Sequence, residues 1–382
     1  MRNDIRGTDM AAAAHDDMTA DRPAKGWFGL PPWTILFPAL GIPAVLLSVY
    51  AMGTIGTIVA ALILIGSVVA AVHHAEVVAH RVGEPFGTLV LAVAVTVIEV
   101  SLIVSLMLSG SGDVAALARD TVFAAIMIIL NFIIGVCLLT GGLKHGEQRF
   151  TLRGISAALA TLAALVVLAL ILPNYTTSGA GSTYAPSQLI FVAVVSLVLY
   201  GTFVLVQTVR HRDYFLPAGD VEPEAHAAPP SDRTAWTSFG ILLVALVVVV
   251  MLAKGLSVRV EEAILAAGLP LAIVGVVIAA LVLAPESLAA YNAARRDRLQ
   301  TSLNLALGSA LATIGLTIPA VAIVSLMLGL PLALGIGAKG MTLLALSLFV
   351  TTISLGTGRT TVLQGVVHLV IFAAYLFTTV IP

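Results

Sequence analysis

GEPFGTLVLAVAVTVIEVSLIVSLML, residues 83–108, is an apolar run with one carboxylate, Glu99, set deep inside it. A helix that crosses a bilayer needs about 20 mostly apolar residues, and this stretch supplies them. A carboxylate at that depth is costly and marks an ion or proton pathway. Thr96 lies three residues before Glu99, on the same helical face.

The pattern repeats along the chain. Apolar runs lie at about 34–51, 55–73, 86–108, 119–141, 152–172, 187–209, 236–253, 262–284, 302–329, 341–356 and 361–381. They predict an all-α polytopic membrane protein with about 11 transmembrane helices. Composition agrees: 59 % of the 382 residues are hydrophobic and 10 % charged, where a soluble domain carries about 25 % charged residues. A soluble fold is excluded. The net charge of −1 gives no field that attracts nucleic acid. The lone cysteine, Cys137, allows neither an intrachain disulfide nor a thiolate metal site.

Lys and Arg set the expected orientation. With the N-terminus in the cytoplasm and eleven alternating spans, 15 of the 19 Lys and Arg residues face the cytoplasm and 4 the other side: Arg119, Lys254, Arg259 and Lys339. The C-terminus then lies outside. Residues 1–33 have no signal-peptide pattern and read as a disordered cytoplasmic tail. The run 34–51 is an extra first helix. The connection 210–234, rich in Pro, Ala and acids, has linker chemistry. It separates a first five-helix unit, 55–209, from a second, 235–382. Two odd-numbered halves joined in this way take opposite orientations, the arrangement of inverted-repeat transporters.

Glu286, in LVLAPESLAA (281–290), falls in the second span of its half, as Glu99 does in the first. Acids at matching places in opposed halves are expected to converge, although Glu286, at the end of its span, also reads as an interfacial residue that snorkels outward. Their neighbours offer neutral oxygens: Asn131 in IMIILNFIIG (126–135), and Ser302, Ser309, Thr313 and Thr317 on one stripe of TSLNLALGSALATIGLTIPA (301–320). Ser302 and Thr317 taken singly read as hydroxyls that bond their own helix. Pro319 and Pro285 are each expected to loosen their helices. Two carboxylates with hydroxyl and amide oxygens suit a hard cation such as Ca²⁺.

In VHHAEVVAHRVGEP (72–85), His73, Glu76 and His80 share helical spacing at the expected cytoplasmic mouth, with Glu84 just beyond. This is either a proton-responsive cluster or a solvated helix end. His368 reads as a helix–helix hydrogen bond. Arg295, Arg296 and Arg298 read as topological anchors, with anionic lipid as the alternative contact.

HHAEVVAHRVGEPFGTLVLAVAVTVIEVSLI (73–103) resembles the first alpha-repeat of the calcium:cation antiporter superfamily, in its bacterial ChaA-type calcium/proton branch. PESLAAYNAARRDRLQTSLNLALGSALATIGLTIP (285–319) resembles the second, and SLGTGRTTVLQGVVHLVIFAAYLF (354–377) is also similar to that branch. The resemblance implies an exchanger with one extra helix and two inverted five-helix repeats. It implies Glu99 and Glu286 as the acids that alternately hold cation or protons, with Asn131, Ser309 and Thr313 as supporting ligands. The chain departs from the Gly-Asn-x-x-Glu motif of eukaryotic members, carrying Val95-Thr96-Val97-Ile98-Glu99 and Val282-Leu283-Ala284-Pro285-Glu286.

The expected activity is Ca²⁺ export against protons by alternating access in a bacterial inner membrane, with no cofactor. Its substrates are Ca²⁺ and H⁺, and its solvent is lipid. A monovalent Na⁺ or K⁺/proton antiporter on the same scaffold is the alternative. An intramembrane enzyme is the reading of another class. It finds no HExxH, no cysteine with a base and no Asp-rich diphosphate motif.

Overall fold

The computed structural model describes residues 29–83, 86–109, 114–179, 181–216 and 229–381. Glu84, residues 1–28 of the N-terminal tail and the middle of the 210–234 connection lie outside these residues.

Lipid offers no hydrogen bonds, so a spanning backbone must satisfy itself, and every crossing element is a helix. The helices are α1 (Pro32–Leu46), α2 (Gly53–Val82) and α3 (Phe86–Ser109), followed by α4, which runs through Val114–Met127, a π turn Ile128–Ile133 and Ile134–His145. Next come α5 (Leu152–Val166, continued by Val167–Tyr175), α6 (Pro186–Leu205, continued to Arg210), α7 (Asp232–Ala266) and α8 (Ala272–Arg295). The last three are α9 (Leu299–Ala312, a π turn Thr313–Thr317 and Ile318–Leu328), α10 (Ala338–Leu355) and α11 (Val362–Val380). Among the described residues 10 helices are long and apolar enough to cross a membrane, and α1 is a shorter apolar helix. The chain is an all-α, multi-pass membrane protein.

A two-residue antiparallel clasp pairs Gln148 with Thr360 and Arg149 with Arg359, tying the end of α4 to the α10–α11 connection. Close helix approach relies on missing side chains. A Cβ on Gly365 of α11 would meet Leu139 N of α4 at 2.5 Å.

The buried residues form two clusters. One gathers α1, α2 and α7 with one face of α3 and α8, through Val68, Val72, Ile98, Leu252 and Val282. The other gathers α4, α5, α6, α9, α10 and α11 with the opposite faces of α3 and α8, through Ile103 and Leu283. The two helices that carry Glu99 and Glu286 are therefore the seam between two packing bodies.

The prolines diverge from their shared expectation. Pro319 stands just after the π turn of α9, where its missing N–H and its ring displace the Gly315 carbonyl from the regular ladder. Pro285 lies inside α8, yet α8 stays one unbroken helix from Ala272 to Arg295. The π turn of α4 contains no proline. There Asn131 Nδ2 bonds back to the Met127 carbonyl at 3.3 Å, a side-chain intrusion of the kind that widens a turn.

Candidate functional site

Glu99 lies on α3 at 2 % exposure. Its Oε2 accepts a 2.7 Å hydrogen bond from Thr317 Oγ1 of α9. The Thr313 hydroxyl, one turn earlier on α9, lies beside the Glu99 carboxyl, and Glu286 is near enough to act on it electrostatically. Glu286 is half-buried on α8, with its Oε2 enclosed and without a hydrogen-bond partner among the described residues.

Both acids line one cavity of about 160 Å³, together with Thr96 of α3, Tyr200 and Gln207 from α6 and its extension, and Asn304, Ser309 and Thr313 of α9. A single water needs only about 10–15 Å³ of such space, so a cation with part of its hydration shell fits. The described lining contains no Lys, Arg or His. Two carboxylates without a basic partner, enclosed by apolar helices, are stabilised only by protons or by a cation. The donor set is all oxygen, which matches a hard ion and not a soft one. Among the described residues no group of three or more His, Cys, Asp or Glu gathers, so the remaining ligands must be hydroxyl, amide, carbonyl or water oxygens.

The structure thus brings Glu99, Glu286, Thr96, Ser309 and Thr313 to one place. Thr317, read from the sequence as a hydroxyl that bonds its own helix, instead donates across to α3. The wide π turn Thr313–Thr317 presents both of its threonines to Glu99. Asn131 is not in the cavity lining. Its Nδ2 donates to Ser347 Oγ of α10 at 2.9 Å. Ser302 is buried elsewhere on α9.

The α2 residues do not form a ligand cluster. His73 packs its ring at 5.7 Å from Trp33 and 5.8 Å from His74. His74 is fully buried, with Nε2 at 3.1 Å from the Thr34 carbonyl. Glu76 and His80 are exposed, although Glu76 is near enough to act electrostatically on Glu286. Glu84 is outside the described residues. His368 is buried on α11 and faces the Leu130 carbonyl, but neither ring nitrogen reaches hydrogen-bond geometry. The expected helix–helix hydrogen bond is therefore not formed.

Sequence reasoning missed Asn304, Gln207 and Tyr200. Asn304 had a signal: it precedes Gly308 by four residues in a run of small and polar residues. Gln207 and Tyr200 had none, since only the approach of α6 to α9 brings them to the cavity. Gly315 permits that approach, because a Cβ there would meet the Tyr200 side chain at 2.7 Å.

Comparison with known proteins places this geometry. The family model described as "Sodium/calcium exchanger protein" matches residues 52–209 and 237–381. The chain is 52 % identical over 322 residues to the y4hA protein of Sinorhizobium fredii, covering 84 % of this chain and 87 % of that one. It is 37 % identical over 321 residues to the sodium-potassium/proton antiporter ChaA of Escherichia coli, covering 82 % and 86 %. The crystal structure of the H⁺/Ca²⁺ exchanger CAX shares the fold with a TM-score of 0.68 at 18 % identity, over 90 % of this chain and 87 % of that one. The chain belongs to the sodium/calcium exchanger protein family and is a secondary transporter that exchanges cations, not an enzyme.

Proposed function

We propose that the chain exports Ca²⁺ from a bacterial cytoplasm across the inner membrane in exchange for protons, with Glu99 and Glu286 alternately holding the ion or the protons. The observation that carries this reading is the cavity shared by the two carboxylates and lined, among the described residues, by no basic side chain. Thr96, Ser309, Thr313 and Thr317 supply neutral oxygens around the ion.

Competition couples the two fluxes. A cation favours the ionised pair and displaces the protons, and protons displace the cation. Either loaded form is close to neutral and can pass through the low-dielectric centre. The empty, doubly charged form cannot do so cheaply, which suppresses leak. Two carboxyls match an exchange of two protons per Ca²⁺. Access changes sides at the seam formed by α3 and α8. The organisation that fits is an extra helix α1 and two inverted five-helix halves, α2–α6 and α7–α11, with one acid in the second helix of each. The N-terminus is cytoplasmic and the C-terminus is outside.

The test is cation-driven proton flux in vesicles of the purified protein, comparing wild type with Glu99→Gln and Glu286→Gln. Ca²⁺ collapses a preset pH gradient in wild type and in neither variant. Retained exchange in both variants overturns the assignment. A second reading has its own support. ChaA, described as a sodium-potassium/proton antiporter, is the 37 % identical relative. If Na⁺ or K⁺ collapses the gradient at lower concentration than Ca²⁺, the monovalent reading replaces the first.

A further inference from the structure

Helix α8 presents Glu286 to the cation cavity and a different stripe to the membrane. Ala280, Ala284, Ser287 and Tyr291, spaced by four, three and four residues, line a second cavity of about 540 Å³. Phe132 of α4 and Phe372 of α11 form its far wall, with ring centroids 5.2 Å apart. Among the described residues no charged side chain lines it. Ala280, Ala284, Leu288 and Phe132 are exposed along it, so the groove opens toward the acyl chains. From Val276 to Tyr291 it follows α8 for about 22 Å at 1.5 Å per residue. That exceeds one leaflet of the roughly 30 Å hydrocarbon core.

The Tyr291 end of the groove meets a basic corner. Lys144 Nζ donates to the Arg295 carbonyl at 2.9 Å, and His145 Nε2 lies 3.1 Å from the same oxygen. The Arg295 guanidinium sits 5.6 Å from the centre of the Tyr291 ring. Arg296 follows it, exposed. Among the described residues the nearby acids are engaged elsewhere: Asp297 accepts from Gln148 Nε2 at 2.6 Å, and Glu147 pairs with Arg359 at 3.2 Å and Arg149 at 3.8 Å.

We propose that this groove is a binding site for one anionic phospholipid, with an acyl chain along α8 and the headgroup phosphate at Lys144, Arg295 and Arg296. An apolar furrow that is open to the membrane and capped by cations matches an amphiphile with an anionic head. A protein partner would leave those cations unmatched. Ser287 adjoins Glu286 in sequence, so the lipid braces the helix that carries one of the two exchange acids. The site stands whether or not the cation assignment does, because its test does not read transport.

The test is native mass spectrometry of protein taken from vesicles of phosphatidylcholine alone and of phosphatidylcholine mixed with phosphatidylglycerol. Wild type retains phosphatidylglycerol in preference to phosphatidylcholine. The double variant Lys144→Gln/Arg295→Gln loses that preference by about tenfold or more, since each cation near an anionic headgroup counts substantially. Ala280→Leu/Ala284→Leu, which fills a lipid-facing groove without touching the basic corner, reduces retention of the lipid itself. Equal retention of both lipids by wild type overturns the proposal. So does unchanged retention in both variants, and so does a groove-filled variant that loses a dimer mass, which would make the face a protein interface.

Discussion

Thr317 Oγ1 of α9 donates a 2.7 Å hydrogen bond to Glu99 Oε2 of α3, joining residues 218 positions apart. The bond ties a π turn on one helix to the buried acid of another. A threonine at this place fixes one oxygen of a carboxylate that lines the cavity.

Thr317→Val keeps the shape and removes the donor. Hydrogen bonds to charged groups contribute about 1.5–3 kcal/mol. Half-maximal exchange is therefore expected at roughly tenfold higher cation concentration or more, while Thr317→Ser retains near wild-type affinity. Initial rates of cation-driven proton flux in vesicles measure both. An unchanged KM in the valine variant would show that the bond is only structural.

The two acids predict a direction for pH dependence. If protons and cation compete for Glu99 and Glu286, lowering pH on the side of cation entry raises the apparent KM without lowering the limiting rate. By linkage the rise approaches tenfold per pH unit for each proton displaced. Saturation curves at several pH values, with the opposite face held constant, give the slope. A flat KM across the series contradicts competition at these carboxylates.

Much of the scaffold is legible in the order of residues. Hydropathy alone locates the crossing helices, because lipid imposes the same requirement on each of them. The cost of a charge in lipid singles out Glu99, whereas Glu286, at the end of its apolar run, stands out by its matching place in the second half. What stays hidden depends on how helices meet. A threonine that bonds its own helix and one that donates to a neighbour look identical in sequence, and Thr317 is the second kind. Pro285 and Pro319 carry the same local warning, yet only Pro319 adjoins a widened turn, while α8 runs through Pro285 as one helix. Tyr200 and Gln207 reach the cavity only through the approach of α6 to α9.

Backbone proximity between α4 and α11 predicts where size is forbidden. A Cβ on Gly365 meets Leu139 N at 2.5 Å and Leu139 Cα at 2.8 Å, and backbone cannot yield as a side chain can. Gly365→Val is expected to cost at least the 1–3 kcal/mol typical of overpacking, about the scale of a misfit methylene group in a packed core. Gly240, within α7, has nothing within 4 Å of such a Cβ. Gly240→Ala should be neutral or slightly stabilising, because alanine is the better helix former. Thermal unfolding in detergent, followed by loss of monodisperse protein, separates the two. Equal melting of both variants would remove the close-approach argument.

Asn131 offers the sharpest separation of structure from ion binding. Its Nδ2 donates to Ser347 Oγ at 2.9 Å and bonds back to Met127, its Oδ1 has no partner among the described residues, and it stands outside the cavity lining. Asn131→Leu removes the amide at similar volume and leaves Ser347 bonded to the Leu343 carbonyl at 2.7 Å. Interhelical hydrogen bonds in membranes average about 0.6 kcal/mol and reach about 1.7. The variant is therefore expected to lose little stability or none, and to keep the wild-type KM for the cation. If Asn131 instead reached the ion in another stage of the cycle, the loss of a ligand would raise KM by about tenfold or more while melting stayed the same. Measuring KM and thermal stability on one preparation distinguishes a helix-bridging amide from a cation ligand.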